Sequence, residues 1–257
     1  MKKIFQVSVV MVLSLVMFSC SPPGKRKKTL TLNKKIWPLV KKLVKSKGDV
    51  NQRYSPRFKK DNNGIPILVW AVAFYDVNSV KLLLKNKANP NIAPKNGSTE
   101  TPLFEVSAST DLNTAKDEAL FRRRSKSAKI CKLLVKAKAK IDHVNSFNET
   151  PLIKAAGNGR EDICSILIAA GAYVNKKNSL DQTALHAAAK SGYWKVVKLL
   201  LRKGARAGTK DKLKQTALSL AQKRGDEDLH KKCRQALKGA YANADYNKTI
   251  AALKNRR

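Results

Sequence analysis

The side chains best suited to catalysis or metal binding in this 257-residue sequence are its histidines and cysteines. They are His143, His186, His230, Cys20, Cys131, Cys164 and Cys233. Their spacing matches neither H-E-x-x-H nor C-x-x-C, in which close neighbours share one metal ion or one redox centre. The sequence also lacks the G-x-S-x-G turn and the phosphate-binding loop. We therefore predict no catalytic residue, no metal site, no cofactor and no small-molecule substrate.

A short motif that begins with Thr recurs along the chain. Its copies are Thr101-Pro102-Leu103, Thr150-Pro151-Leu152, Thr183-Ala184-Leu185 and Thr216-Ala217-Leu218, and the last two steps are equal in length. A fixed period of about 33 residues, as in those two steps, is typical of stacked two-helix units. One helix pair cannot bury its apolar face alone, so each unit depends on its neighbours for stability.

The most complete copy extends from Thr183 to Ala205. It contains TALHAAA at 183–189, Gly192, VVKLLL at 196–201 and GA at 204–205. These residues resemble the ankyrin-repeat pattern T-P-L-H-x-A-A…G…V-V-x-L-L-L…G-A. The resemblance implies an all-α solenoid of stacked helix-turn-helix units with short hairpin loops. It also implies a non-catalytic protein that binds a protein partner, and a structural role for His186 in tying backbone across a repeat junction.

The repeat pattern divides the chain into segments. We expect a signal peptide at 1–19, a basic linker at 20–35, the repeats at 36–238 and a tail at 239–257. Within the repeats we expect a cap at 36–51, units near 64–91, 101–142, 150–175 and 183–208, and a second cap at 216–238. Pro38 suits the first position of the N-terminal capping helix, because its missing N–H would be unbonded there anyway.

Two of the cysteines occupy one position of successive second helices. Cys131 and Cys164 are one period apart, and Val197 holds the same position in the next copy. Packed helices lie about 8–10 Å apart, whereas the Cα atoms of a disulfide must come within about 7 Å. We therefore expect both thiols to be buried, reduced core residues.

The N-terminus has the features of an export signal. Lys2 and Lys3 precede a mostly apolar run from Ile4 to Phe18, which is short for a membrane-spanning helix. The run ends at Ser19-Cys20, which resembles a bacterial lipoprotein cleavage site. We expect Cys20 to carry a lipid anchor that holds the exported protein at a membrane of the cell envelope. The alternatives are a plain signal peptide of a secreted protein, or a retained anchor.

The charge balance is strongly basic, with 53 Lys and Arg against 18 Asp and Glu and a net charge of +35. Such a charge suits an acidic partner, and nucleic acid or another polyanion is the alternative function to protein binding. The excess is spread along the chain without aromatic interleaving, so nucleic acid is not favoured. Lys25 to Lys28 lie close to Cys20, which favours an anionic membrane surface.

One repeat contains an insertion. Thr101 and Thr150 are separated by more than one period, and the extra residues fall near 109–124. Thr114 could cap a helix that continues without Gly or Pro, so we expect an overlong second helix of about 24 residues. Arg122, Arg123 and Arg124 would lie on it as a candidate anion-binding cluster. The alternative is an insertion that the fold tolerates without using it.

Three large apolar residues share one position in successive copies. Phe147, Leu180 and Leu213 each stand shortly before the Thr of a repeat, at the expected tip of a hairpin loop. We predict that they form an exposed stripe that binds the partner, with Lys190 and Ser191 beside it at the first-helix end. The alternative is that neighbouring hairpins shield these side chains from the solvent.

Overall fold

The computed structural model describes residues 27–54, 64–94, 101–109, 118–222 and 230–240, with the backbone alone described at 27–35 and 118–123. The expected signal peptide, Cys20, Thr114 and the tail beyond 240 lie outside these residues. No helix within the described ranges combines the length and the apolar character that crossing a membrane requires.

The regular secondary structure of the described residues is almost entirely helical, which confirms the predicted all-α architecture. The helices are α1 (Lys27–Lys45), α2 (Ile67–Ala73), α3 (Val77–Lys85), α4 (Pro102–Ser107), α5 (Glu118–Lys136), α6 (Pro151–Gly157), α7 (Glu161–Ala169), α8 (Ala184–Lys190), α9 (Trp194–Arg202), α10 (Ala217–Gln222) and α11 (230–240). Two short strands, β1 (Arg53–Tyr54) and β2 (Ile65–Pro66), pair antiparallel with Tyr54 opposite Ile65.

The chain divides into two compact units, one ending at Ser146 and the other beginning at Phe147. In the first unit α2 packs on α4, and α3 packs on both α1 and α5. In the second unit α8 packs between α6 and α10, while α7 packs on α9. First helices therefore stack on first helices and second helices on second helices within each unit, as expected of a repeat array.

Small side chains let the helices of a pair approach closely. Ala155 and Ala156 of α6, and Ala188 and Ala189 of α8, are fully buried against larger residues of the second helices. Gly171 and Gly204 follow α7 and α9 with φ values of 90° and 85°, in the left-handed region that glycine enters at least cost.

The first helices α4 and α6 begin directly after their Thr residues. The hydroxyl oxygens of Thr101 and Thr150 accept hydrogen bonds from the backbone N–H groups of Phe104 and Ile153 at 3.4 and 3.2 Å. A proline follows each Thr at a position where its missing N–H costs nothing. The capping residue determines where each of these helices starts, and therefore where the preceding hairpin loop ends.

The N-terminal helix differs from the prediction in where it begins. α1 starts at Lys27, so the end of the expected linker is helical, and Pro38 lies inside the helix and not at its first position. Pro38 costs the helix one backbone hydrogen bond. Apolar residues nevertheless keep a helical spacing on both sides of it, and they are Leu32, Ile36, Val40 and Leu43. The last three are buried, so a continuous apolar face outweighs the local proline signal.

The helix α5 is 19 residues long, whereas the second helices α3, α7 and α9 have 9 residues each. Aligning Cys131 with Cys164 and Val197 places the standard second helix at 128–136. The part of α5 before that range is therefore an N-terminal extension of the helix, which lies where the sequence predicts the insertion. Whether the helix reaches the predicted cap at Thr114 lies outside the described residues.

Candidate partner-binding surface

Two hairpin loops of the second unit are each held in shape by one polar side chain. The Oδ1 atom of Asn178 accepts the N–H groups of Leu180 and Gln182, both at 2.9 Å. In the next repeat the Oδ1 atom of Asp211 accepts the N–H groups of Leu213 and Gln215 at 3.0 and 2.8 Å. Asn and Asp suit this role because their short side chains reach their own backbone a few residues on.

Successive hairpins are also bonded to one another through their backbones. The N–H of Ser179 donates to the carbonyl of Phe147 at 3.0 Å, and the N–H of Lys212 donates to the carbonyl of Leu180 at 3.1 Å. The amide of Gln182 adds a hydrogen bond to the Oδ2 atom of Asp211 at 3.2 Å. These bonds place the three tips side by side in a fixed row.

The row carries the three predicted apolar side chains on its outside. The exposed fractions are 59% for Phe147, 57% for Leu180 and 75% for Leu213, so the hairpins do not shield them. We call these three residues the fingertip stripe. Their exposure agrees with the sequence-based expectation, and their role in binding stays a prediction.

Lys190 and Ser191 are exposed but lie apart from the fingertip stripe. The stripe adjoins the start of α8 at Thr183, whereas both residues lie at its other end, one helix length or about 10 Å away. The carbonyl of Lys190 is 3.4 Å from the Nε2 atom of His230 on α11. The helix α8 therefore separates these two residues from the stripe along the chain, and their role in partner binding stays a prediction.

His186 has the structural role that the resemblance implies. Its Nδ1 atom accepts the backbone N–H of Thr183 at 3.2 Å while the hydroxyl of Thr183 caps the same turn. Its Nε2 atom lies 3.3 Å from the carbonyl of Gln215 in the next repeat. Burial lowers the pKa of His186, and the hydrogen bond to Gln215 offsets part of this effect. The ring therefore joins two repeats, and its hydrogen bonds leave no nitrogen open for a metal ion.

The cysteines of the described residues are core residues. Cys131, Cys164 and Cys233 are all fully buried and unbridged, as predicted for the first two. Burial raises the pKa of Cys233 to about 11, so its thiolate is scarce at neutral pH. Across the described residues no three His, Cys, Asp or Glu side chains are grouped so as to hold a metal ion.

The arginine cluster of α5 is only partly described. Arg122 and Arg123 lie within the helix, but their side chains are outside the described residues. Arg124 is half-buried, and its carbonyl accepts the hydroxyl of Ser127 at 2.8 Å. The candidate anion-binding role of this cluster stays a prediction.

Sequence reasoning missed one surface feature, the indole of Trp194. Three lysine Nζ atoms lie close to its ring, and one of them belongs to a different helix. The spacing of Trp194 and Lys198, one turn apart on a helix, could have indicated one of these contacts. The contact with Lys232 depends on how α11 packs, which the local sequence does not reveal.

Comparison with protein families finds ankyrin repeats in this chain. Residues 122–211 match the ankyrin-repeat family model in three copies, a range that includes most of α5 and all of α6 to α9. No curated protein matches the chain. Together with the stacked helix pairs, the family match makes this an all-α ankyrin-repeat fold.

Proposed function

We propose that this protein is a non-catalytic scaffold that captures a protein partner on the fingertip stripe. Ankyrin repeats indicate protein–protein interaction. The observation that carries the proposal for this surface is the exposure of three large apolar side chains, each more than half exposed, in one row of bonded hairpins.

The physical basis is the area that a partner would remove from water. Burying what remains exposed of a Phe or Leu side chain contributes about 1–2 kcal/mol. Leu180 and Leu213 lie on loops that are already held by Asn178 and Asp211, so these two anchors lose little conformational entropy on binding. Lys177, Lys212 and Lys214 surround the stripe as exposed polar residues, which is the arrangement of a typical binding hot spot.

The test is the triple substitution Phe147→Ser, Leu180→Ser and Leu213→Ser. A partner captured from the cells that make the protein and then purified should bind the variant at least about 100-fold more weakly. The melting temperature should change little, because exposed side chains contribute little to folding. Tyr173→Ser is the matched control, since Tyr173 is 56% exposed but lies outside the stripe.

Two outcomes would contradict the proposal. One is unchanged partner affinity in the triple variant, which would place the binding surface elsewhere. The other is wild-type binding that disappears at moderate salt whatever the identity of the captured molecule, because that behaviour belongs to the alternative function of polyanion binding.

We also propose that the protein is exported and held at a membrane by a lipid on Cys20. The apolar run from Ile4 to Phe18, and the small residue before the cysteine, support this proposal. Cys20→Ser should release the protein from the membrane fraction or leave its precursor uncleaved, as measured by intact mass and fractionation. A variant that is processed and partitions like the wild type would rule the anchor out.

A further inference from the structure

Two neighbouring helices of the second unit, α9 and α11, expose mainly basic residues. The exposed residues of α9 are Lys195, Lys198 and Arg202, and those of α11 include Lys231, Lys232 and Lys238. The neighbouring second helix α7 exposes only Ser165 and Ala169, so the basic surface begins at α9. Between Asp181 and Asp211 the sequence contains seven Lys and Arg and no Asp or Glu. We call the exposed side of α9 and α11, together with Trp194, the outer basic face.

Trp194 lies within this face and is half-buried. The Nζ atoms of Lys195, Lys198 and Lys232 lie 5.9, 5.3 and 5.6 Å from its ring centroid. Cations at such distances are attracted to the indole ring. They also repel one another, because atoms this close to one centroid are at most about 12 Å apart, where salt with a Debye length of about 8 Å screens the charges only in part. An anion that binds between them would relieve this repulsion.

An open groove continues the outer basic face along α9. It has a volume of about 870 Å³ and lies between α9 and α11. Lys198, Arg202 and Arg206 line it together with the apolar side chains of Leu201 and Ala205. The groove therefore offers positive charge and apolar contact next to each other, which suits an amphipathic anion.

We propose that the outer basic face docks on an anionic phospholipid surface, with Trp194 at the level of the headgroups. Tryptophan favours the membrane–water interface, because its ring is apolar and its N–H is polar. Lysine side chains lay their apolar stems along such a surface and extend the ammonium group to the phosphates. A bilayer supplies phosphates to both helices at once, which matches a face with six exposed basic residues.

Nucleic acid fits the same face less well. Proteins that bind single strands stack bases on free aromatic rings, whereas ammonium groups lie over the ring of Trp194.

The pairing of Trp and Lys also recurs on α1 in the first unit, where the Nζ atom of Lys41 lies 4.8 Å from the centroid of Trp37. The third tryptophan, Trp70, is buried, and its indole N–H donates to the carbonyl of Tyr54 at 3.3 Å.

The test measures quenching of Trp194 fluorescence in the full chain by vesicles with brominated acyl chains. Vesicles that contain phosphatidylglycerol should quench it, and vesicles of phosphatidylcholine alone should not. Trp194→Phe identifies the part of the signal that comes from this residue. The triple variant Lys195→Gln, Lys198→Gln and Lys232→Gln should raise the lipid concentration for half-maximal quenching about 100-fold, since each basic residue near the surface contributes about five-fold.

A charge-matched variant separates a localised face from general attraction. Lys87→Gln, Lys138→Gln and Lys140→Gln remove the same charge from exposed loop residues of the first unit, and this variant should behave like the wild type. Equal losses in the two triple variants, or absence of Trp194 quenching in the wild type, would overturn the proposal. So would a DNA duplex that binds through the three outer lysines while anionic vesicles do not. None of these measurements depends on whether the fingertip stripe binds a protein partner.

Discussion

Asp211 is the residue that holds the most exposed fingertip in place. Its carboxylate accepts two backbone N–H groups of its own hairpin and the side chain of Gln182 from the preceding one. Burial alone would raise the pKa of Asp211, but the hydrogen bonds from Gln215, Gln182 and Leu213 outweigh burial and lower it. The ionised form is therefore the one that the fold stabilises.

We predict that Asp211→Ala lowers the free energy of unfolding by about 1–2 kcal/mol at neutral pH, because it leaves two backbone donors without their acceptor. Asp211→Asn is the matched control, since Asn178 accepts the equivalent two backbone N–H groups one repeat earlier. This substitution should lower the free energy of unfolding much less. Urea denaturation measures both. A loss with Asn as large as with Ala would show that the loop depends on charge and not on the hydrogen bonds.

The pH dependence of this contribution has a definite sign. A carboxyl group whose pKa is lowered in the fold stabilises it above the unfolded pKa of about 3.9, and that stabilisation is lost as the pH falls through the folded value. The deficit of Asp211→Ala relative to the wild type should therefore shrink only in acid, below about pH 4. A deficit that is the same at acid and neutral pH would contradict the account.

Residue roles that follow from the repeat motif could be predicted from the sequence. The capping role of His186, the buried thiols of Cys131 and Cys164, and the left-handed Gly171 and Gly204 all belong to one repeat and its period. The surroundings of Trp194 could not be predicted in this way. Lys232 contacts the ring of Trp194 from a later repeat, because of helix packing that no local sequence pattern predicts.

At the scale of elements, α5 combines a packed segment with an added one. The buried side chains of its described part are Ser127, Ile130, Cys131 and Leu134. They cluster in the segment that corresponds to the standard second helix and its preceding residue. Among the extension residues whose side chains are described, Arg124 is half-buried, and Ser125 and Lys126 are exposed.

We predict that deleting residues 109–124 leaves one cooperative helical unfolding transition. The deletion removes as much chain as the insertion adds, so it restores the regular period between Thr101 and Thr150. It also brings Ser127 to the position that Arg160 and Tyr193 hold before α7 and α9. Circular dichroism during thermal unfolding measures the outcome.

A second deletion of equal length, 119–134, serves as the control. It removes Ile130, Cys131 and Leu134 from the core of the first unit, so it should abolish the cooperative transition of that unit. If the 109–124 deletion has the same effect, the insertion is part of the core and the prediction is wrong.

The start of α1 shows where element prediction from sequence fails. The proline at position 38 indicated a helix start by local preference, whereas the helix begins about three turns earlier, at Lys27. Packing of Ile36, Val40 and Leu43 decides the outcome, because burying an apolar face outweighs one lost hydrogen bond. Local signals place boundaries well only where tertiary packing agrees with them.

At the scale of the whole molecule, composition alone left the positive charge without a location. In the folded chain, part of the positive charge lies on the exposed sides of second helices. On α9 every exposed residue is basic. In the first unit α5 likewise exposes Lys126, Lys129, Lys132 and Lys136. Of the large apolar residues exposed in the described part of the chain, Phe147, Leu180 and Leu213 lie at hairpin tips and Tyr173 does not. We infer that binding of a protein and attraction to an anionic surface use different faces.

Site-specific photocrosslinking in the cells that make the protein shows whether a partner contacts the fingertip stripe. A benzoylphenylalanine at position 213, where Leu213 is 75% exposed, is compared with one at position 173, where Tyr173 is 56% exposed outside the stripe. We predict a discrete covalent adduct with one protein from position 213 and none from position 173. An adduct from position 173 alone, equal adducts from both, or none from position 213 would contradict the claim.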